Sequence, residues 1–166
     1  MASAVDTQGG SAPQHQESPL ATKKPDRASE KMLKELTELF ITDVSAYDDA
    51  EFLQHVSPDF QWNIVGSFLG RGRKAHFEKM KEIRQAHPDY HVNILNISAE
   101  VQIGKAKTWA LMKISGFPEG VERESILMFS WRRDVQGTWV CYRHDGIRGV
   151  APMPFLVSKS TPLDDG

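Results

Sequence analysis

Two histidines are the side chains best suited to proton transfer in this sequence, because imidazole titrates nearer to neutrality than other side chains. His91 opens one strand-like segment, and His144 lies near the end of the last one. Such a base can take a proton from carbon if a nearby donor stabilises the oxygen on which charge develops. A structural interpretation stays open for both, since His144 could equally be a strand-end residue bonded to a backbone carbonyl.

Tyr47 and Asp48 form a second candidate pair. The Tyr47 hydroxyl could hold a substrate oxygen, and Asp43, one helical turn earlier, could polarise that hydroxyl. The structural alternative is that Tyr47 continues the apolar stripe of a helix and that Asp48 caps the next helix. The sequence favours the structural alternative without excluding the chemical one.

Metal and cofactor chemistry have little support in the sequence. His87 and His91 are four residues apart, but Pro88 prevents a shared helical face and no second ligand pair accompanies them. Cys141 is the only cysteine, so no internal disulfide can form, and its mid-strand position predicts a buried, inert thiol. We therefore expect no metal and no cofactor. Three glycines near the middle of the chain match no phosphate-binding pattern: Gly66, Gly70 and Gly72.

Length and charge narrow the class of protein. The chain has 166 residues, which suggests one domain, and its 20 basic and 22 acidic residues leave no net field to attract nucleic acid or an anionic membrane. No apolar stretch is long enough to cross a bilayer, and the N-terminus lacks a signal-peptide pattern. With a single cysteine, the cytoplasm is the expected location.

Three regions differ in composition. Residues 1–27 are rich in Ser, Gln, Pro and Gly and predict a disordered tail. Residues 28–150 carry the periodic apolar patterns of a folded domain. Residues 151–166 contain three prolines and predict a C-terminal extension that is mostly disordered.

The folded region reads as two helices, a strand, a third helix and four strands. A first helix begins near Ser29 as its cap, a short second helix covers residues 50–56, and a third ends near Ala86 before His87-Pro88. Residues 60–65 predict the first strand. The last four strands are joined by short turns and predict an antiparallel meander: residues 90–98, 105–116, 121–133 and 138–147.

Alternation within these strands predicts which residues face a cavity. In the segment 121–133 one face carries Ser125, Leu127, Phe129 and Trp131, but the opposite face is also partly apolar. Helices can cover only one face, so we expect a homodimer through the other. If Val140, Tyr142 and His144 share the concave face, the expected ligand-binding residues are Trp62, Ser125, Leu127, Phe129 and Tyr142. Trp62 could instead be plain core.

This order of elements, the Ser57-Pro58-Asp59-Phe60 entry to the first strand and the closing segment 137–143 resemble the nuclear transport factor 2-like superfamily in its SnoaL-like form. The resemblance implies an α+β fold, with a cone-shaped, curved antiparallel sheet wrapped around N-terminal helices and enclosing one pocket. The general pattern is also similar to SnoaL-like proteins of filamentous fungi and, distantly, to scytalone dehydratase.

The resemblance to scytalone dehydratase implies roles for several residues. Tyr47-Asp48 resembles its pocket tyrosine–aspartate pair, His91 falls at its catalytic histidine, and Ser125 falls at its pocket serine. Two positions depart from that pattern: Ile64 replaces a second tyrosine, and Leu127 replaces an asparagine. Both departures remove hydrogen-bond donors that would polarise a substrate carbonyl.

Two functions follow as expectations. The first is a cofactor-independent isomerase, dehydratase or cyclase of secondary metabolism that acts on a hydrophobic polyketide- or terpenoid-like substrate by acid/base catalysis. The second is a non-catalytic ligand-binding or dimerisation module of the same fold. A small hydrophobic ligand or substrate is the expected partner.

Overall fold

The computed structural model of the protein describes residues 26–64 and 68–148. The C-terminal extension predicted for residues 151–166 and nearly all of the predicted N-terminal tail, residues 1–25, lie outside the described residues. No helix in the described part of the chain is long and apolar enough to cross a bilayer.

Helix α1 (Arg27–Thr42) begins two residues before Ser29, the residue predicted as its cap. Its cap is Asp26, whose carboxylate accepts hydrogen bonds from the Ser29 backbone nitrogen (3.1 Å) and hydroxyl (2.7 Å). Ser29 is instead buried, and its hydroxyl oxygen accepts a hydrogen bond from the indole nitrogen of Trp139 at 3.1 Å. This contact ties the start of the first helix to the last strand.

The remaining helical elements are short except for one. A 3-10 turn (Ser45–Asp48) precedes α2 (Ala50–Leu53), which Asp49 caps by accepting a hydrogen bond from the Glu51 nitrogen. Helix α2 ends before residue 56, because the chain already enters the sheet there. Helix α3 (Arg73–Ala86) ends where Pro88 predicted that it would.

Among the described residues the strands are β1 (Val56–Ile64), β2 (Phe68–Arg71), β3 (His91–Gln102), β4 (Lys105–Ser115), β5 (Glu122–Arg133) and β6 (Trp139–Arg148). These six strands form one mixed sheet in the order β2-β1-β6-β5-β4-β3. Strands β3 to β6 form the predicted antiparallel meander, whereas β1 runs parallel to β6. The α+β class is therefore confirmed, with one parallel pair inside it.

Two differences from the sequence analysis concern the first strands. Strand β1 begins at Val56, which was predicted to be the last residue of the second helix, and it includes Pro58. Proline is tolerated there because the register between β1 and β6 is interrupted between Val56 and Gln61. Strand β2 lies between β1 and α3, where no strand was predicted, and it pairs Gly70 with Trp62.

Helices α1 and α3 cover the inner face of the sheet, α1 over β3 and β4 and α3 over β1 and β2. The alternation predicted for β5 is confirmed, and β4 alternates in the same way. Ala106, Ala110 and Met112 face inward on β4 and are buried. On β5 the inner face carries Phe129 and Trp131, which are both almost completely buried.

Candidate functional site

A mostly apolar cavity lies between α1, the 3-10 turn, α3 and the inner face of β4 to β6. It has a volume of about 80 Å³ open to the centres of water molecules. That volume holds several waters or part of a small organic molecule. The polar side chains in its lining are Tyr47, His76, Tyr90, Arg123, Ser125 and His144.

His144 lies at the inner end of this cavity on β6. Its ring is surrounded by aromatic side chains, with Phe129 at 5.3 Å and Phe60 at 5.9 Å between ring centroids. Both ring nitrogens are buried and have no hydrogen-bond partner in the described part of the chain. Burial lowers the pKa of His144 to about 3, so the ring is neutral at physiological pH.

His76 on α3 faces His144 across the same end of the cavity. The two ring centroids are 5.2 Å apart, and the ring planes meet at 82°. Burial, and to a smaller extent the proximity of His144, lowers the pKa of His76 to about 2. The inner end therefore contains two neutral imidazoles, and each carries one N–H donor and one nitrogen acceptor.

His76 was not among the site residues predicted from the sequence. It lies within a lysine- and glutamate-rich segment, whose composition indicates a solvent-exposed helix face. A signal was nevertheless present, because His76 precedes Met80 by four residues and Ile83 by seven, which places it on the inward stripe of α3. Met80 and Ile83 also line the cavity.

A β-bulge in β6 decides which side chains accompany His144. Ser130 pairs with Arg143 and Trp131 pairs with Cys141, so Tyr142 is an extra residue of β6 that has no partner residue on β5. Cys141 and His144 consequently both face inward, and the expectation that Val140 and Tyr142 share the face of His144 is wrong. Tyr142 does not line the cavity; its ring lies 5.3 Å from the Arg132 guanidinium.

Asp145 follows His144 directly in the sequence but does not orient its ring, because the two side chains lie on opposite faces of the sheet. Its carboxylate accepts two hydrogen bonds of 2.7 Å from Arg143 on the other face of the sheet. No carboxylate belongs to the described lining of the cavity. The two histidines thus lack the acidic partner that would raise their pKa.

The structure separates Tyr47 from Asp48. Tyr47 is buried, stacks on Phe77 with ring centroids 4.1 Å apart, and donates its hydroxyl proton to the Phe40 carbonyl at 2.9 Å. Burial raises the pKa of Tyr47, which keeps the hydroxyl protonated. Asp48 lies on the surface and forms an ion pair with Lys81 at 2.7 Å, so it does not reach the cavity.

Two other candidates also lie outside the lining. His91 is exposed at the start of β3, opposite Ser115, and the structure does not bring it to the cavity. Trp62 is buried behind His76, with ring centroids 5.1 Å apart. Trp62 therefore supports the inner end of the cavity without lining it.

Ser125, Leu127 and Phe129 all line the cavity from β5. The Ser125 hydroxyl oxygen is buried and has no hydrogen-bond partner among the described residues. Phe129 lies directly opposite His144, whereas Ser125 lies on the same strand four residues before Phe129. Four residues of a β-strand span about 13 Å, so Ser125 and His144 cannot hold the same ligand atom.

Neither the cavity nor the rest of the described chain offers a metal site. No group of three or more metal-binding side chains occurs within residues 26–64 and 68–148. Cys141 is buried, and burial raises the pKa of its thiol, which disfavours the reactive thiolate.

Comparison with solved structures places the fold among nuclear transport factor 2-like proteins. An NTF2-like protein with a cystatin-like fold from Novosphingobium aromaticivorans superposes with a TM-score of 0.58 at 16% identity, over 74% of this chain and 83% of that chain. The hexachlorocyclohexane dehydrochlorinase LinA-type3 from Novosphingobium barchaimii gives a TM-score of 0.63 at 14% identity, over 75% and 89% of the two chains.

A proposed dehydratase of the NTF2-like family from Streptomyces avermitilis gives a TM-score of 0.58 at 13% identity, over 75% of this chain and 99% of that chain. No protein-family model and no curated protein matches the sequence. These similarities establish the fold. They do not single out a fungal relative or scytalone dehydratase.

Proposed function

We propose that this protein is a cofactor-independent enzyme of secondary metabolism that isomerises, dehydrates or cyclises a hydrophobic polyketide- or terpenoid-like substrate by acid/base catalysis in the cytoplasm. The carrying observation is that both buried ring nitrogens of His144 have no partner among the described residues, and that the His144 and His76 rings lie 5.2 Å apart in one cavity. Buried polar atoms without partners are costly, and sites that bind and transform ligands are where they persist. Structural neighbours named as a dehydrochlorinase and a proposed dehydratase are consistent with proton-transfer chemistry.

In the proposed reaction His144 is the base. Its unprotonated ring nitrogen takes a proton from a carbon next to a carbonyl group, while the N–H of His76 hydrogen-bonds the carbonyl oxygen that becomes the enolate. The negative charge on that oxygen raises the basicity of His144 as the proton arrives, which offsets the effect of burial. The proton then returns to another carbon in an isomerisation or goes to a leaving hydroxyl in a dehydration.

Deuterium exchange tests this role without knowledge of the natural substrate. The probe is 2-tetralone, a compact fused-ring ketone, incubated in D₂O and analysed by mass spectrometry. The wild-type protein should accelerate exchange at the carbons next to the carbonyl, and His144→Gln should reduce that acceleration about 10²- to 10⁴-fold. The matched control is His91→Gln, an exposed histidine that should leave exchange unchanged. Equal exchange by wild type and His144→Gln would end the assignment.

Ligand binding without catalysis is the second candidate. It is favoured by the absence of a carboxylate from the described cavity lining and by the Tyr47 hydroxyl, which is already engaged with the Phe40 carbonyl. The same probe separates the two functions. A rise in melting temperature with 2-tetralone and no exchange above that in buffer would support the binding module.

We also propose that two copies associate through the outer face of the sheet. Cross-strand pairs on that face bring apolar side chains together, Leu111 with Ile126 and Ile126 with Ile147, next to Trp109 and Met128. Ile126 is 43% exposed and Ile147 is 65% exposed. Light scattering at micromolar concentration should give a dimer mass that Ile126→Lys halves. Val135→Lys, in an exposed turn, is the control, and a monomeric wild type would refute the dimer.

A further inference from the structure

The Ser125 hydroxyl is a buried polar group in the cavity whose hydrogen-bonding capacity the described residues leave unused. Ser125 is 5% exposed and lines the cavity from β5. Its hydroxyl oxygen has no hydrogen-bond partner among the described residues. Its cross-strand neighbour on β4, Met112, offers only a thioether, which is a weak acceptor. Because buried hydroxyl groups are nearly always hydrogen-bonded, this position suits a ligand that supplies the missing partner.

The spacing along the sheet sets the length of a ligand that reaches both Ser125 and His144. His144 pairs with Phe129, and Ser125 lies four residues before Phe129 on β5. Four residues of a strand span about 13 Å. A hydrogen bond of about 2.8 Å at each end leaves roughly 7 Å between the two ligand oxygens. An aromatic ring with a short substituent spans that distance, whereas a single small polar group does not.

The part of the cavity between these two positions is apolar. Leu127 is the inward-facing residue of β5 between Ser125 and Phe129, and it pairs with Gly146, which has no side chain. Ile114 on β4 also lines the cavity. An apolar, flat body fits these surroundings better than a polar chain does.

We propose that the substrate is an elongated, mostly apolar ketone or alcohol with a second oxygen at its far end, and that Ser125 selects it by hydrogen bonding to that oxygen. This inference rests on the proposed function and narrows its substrate class. The first oxygen lies beside His144 and His76, where neutral imidazoles suit a ketone or hydroxyl group. The second oxygen is a hydroxyl or carbonyl oxygen, because the Ser125 hydroxyl can both donate and accept a hydrogen bond.

A matched pair of ketones tests the second contact by isothermal titration calorimetry. The first probe, 4-(4-hydroxyphenyl)butan-2-one, has a ketone and a phenol oxygen at opposite ends of an apolar body. In the second probe, 4-(4-methylphenyl)butan-2-one, a methyl group of similar size replaces the hydroxyl. We expect the hydroxyl probe to bind wild type about tenfold more tightly than the methyl probe, which corresponds to one hydrogen bond in a buried site.

Two serine variants assign this preference to a position. Ser125→Ala should bind the two ketones with equal affinity, because the partner of the phenol is lost. The control is Ser98→Ala, an exposed serine on β3 outside the cavity lining, which should keep the tenfold preference. A preference that persists unchanged in Ser125→Ala would overturn the inference. The comparison of the two ketones in wild type requires no variant, so it tests the inference even if Ser125→Ala does not fold.

The results distinguish this inference from the proposed function. Equal binding of the two ketones by wild type, or failure of both to bind below millimolar concentration, would overturn the role of Ser125. In that case deuterium exchange of 2-tetralone that depends on His144 would still support the enzyme. Conversely, a preference that depends on Ser125 without any exchange would refute catalysis and leave the ligand class supported.

Discussion

Mild acid should destabilise this protein through His76 and His144. In the unfolded chain an imidazole takes up a proton as the pH falls below about 6.5. In the folded protein the pKa values are about 2 for His76 and about 3 for His144, because both rings are buried. Below pH 6.5 the unfolded state therefore binds more protons than the folded state, and the free energy of unfolding decreases as the pH falls.

The size of the effect follows from the same values. One pH unit corresponds to about 1.4 kcal/mol for each group that is protonated only in the unfolded state. Between pH 7 and pH 5 each histidine therefore lowers the free energy of unfolding by about 2 kcal/mol, and the two together lower it by about 4 kcal/mol. Folded domains have total stabilities of about 5–15 kcal/mol, so the loss is large. Hydrogen bonds from Ser45 and Ser57 hold the pKa values of Asp43 and Asp59 below 3.8, so those carboxylates titrate below this range.

Urea unfolding followed by tryptophan fluorescence at pH 7, 6 and 5 measures the effect. His144→Phe and His76→Phe should each halve the pH dependence, and His91→Gln should retain it in full. A wild-type change below about 1 kcal/mol would refute the reasoning. If a phenylalanine variant does not fold, NMR of the imidazole nitrogens in the wild type gives the answer, because a protonated ring at either position at pH 5 contradicts the argument.

Three further substitutions test the surroundings of the site. Thr108→Val should lower the free energy of unfolding in urea by about 1–3 kcal/mol, because the buried Thr37 hydroxyl and Trp131 indole both hydrogen-bond to Thr108. The control is Thr42→Val on the surface, and an equal loss of stability in the two variants would contradict this explanation. Gly70→Ala should cost about 1–3 kcal/mol, because its Cβ would overlap the Trp62 ring, and a cost no larger than that of exposed Leu69→Ala would show that the ring moves freely. Tyr47→Phe should lower stability by about 1 kcal/mol and leave deuterium exchange within about threefold of wild type, whereas a loss of 10²-fold would make Tyr47 catalytic.

The sequence predicted the site best where regular strand geometry decides the outcome. Ser125, Leu127 and Phe129 line the cavity because alternate residues of a strand share a face, and β5 is regular over these positions. Tyr47 and His144 also reach the cavity. Asp48 and His91 do not reach it. Asp48 is adjacent to Tyr47 in the sequence and His91 opens a strand, but neither fact determines where the side chain points.

His76 shows what single-sequence reasoning lacks. Its position on the inward stripe of α3 predicts burial, but a buried histidine is not a site until a second polar group stands nearby. That group is His144, 68 residues later, and the packing of α3 over β1 and β2 brings the two rings within 5.2 Å. Only the tertiary structure contains this juxtaposition.

The bulge at Tyr142 explains why alternation predicted the wrong face for Tyr142 on the last strand. Trp139 and Cys141 are buried on the inner face, and strict alternation would continue that face through Arg143 and Asp145. The free-energy cost of burying those two charges in an aromatic core would far exceed that of interrupting the hydrogen bonding between β5 and β6 at one residue. The extra residue shifts the alternation, so that Arg143 and Asp145 pair with each other outside while His144 and Gly146 face inward. One irregular residue thus places the His144 imidazole in the cavity and places Gly146, which has no side chain, opposite Leu127.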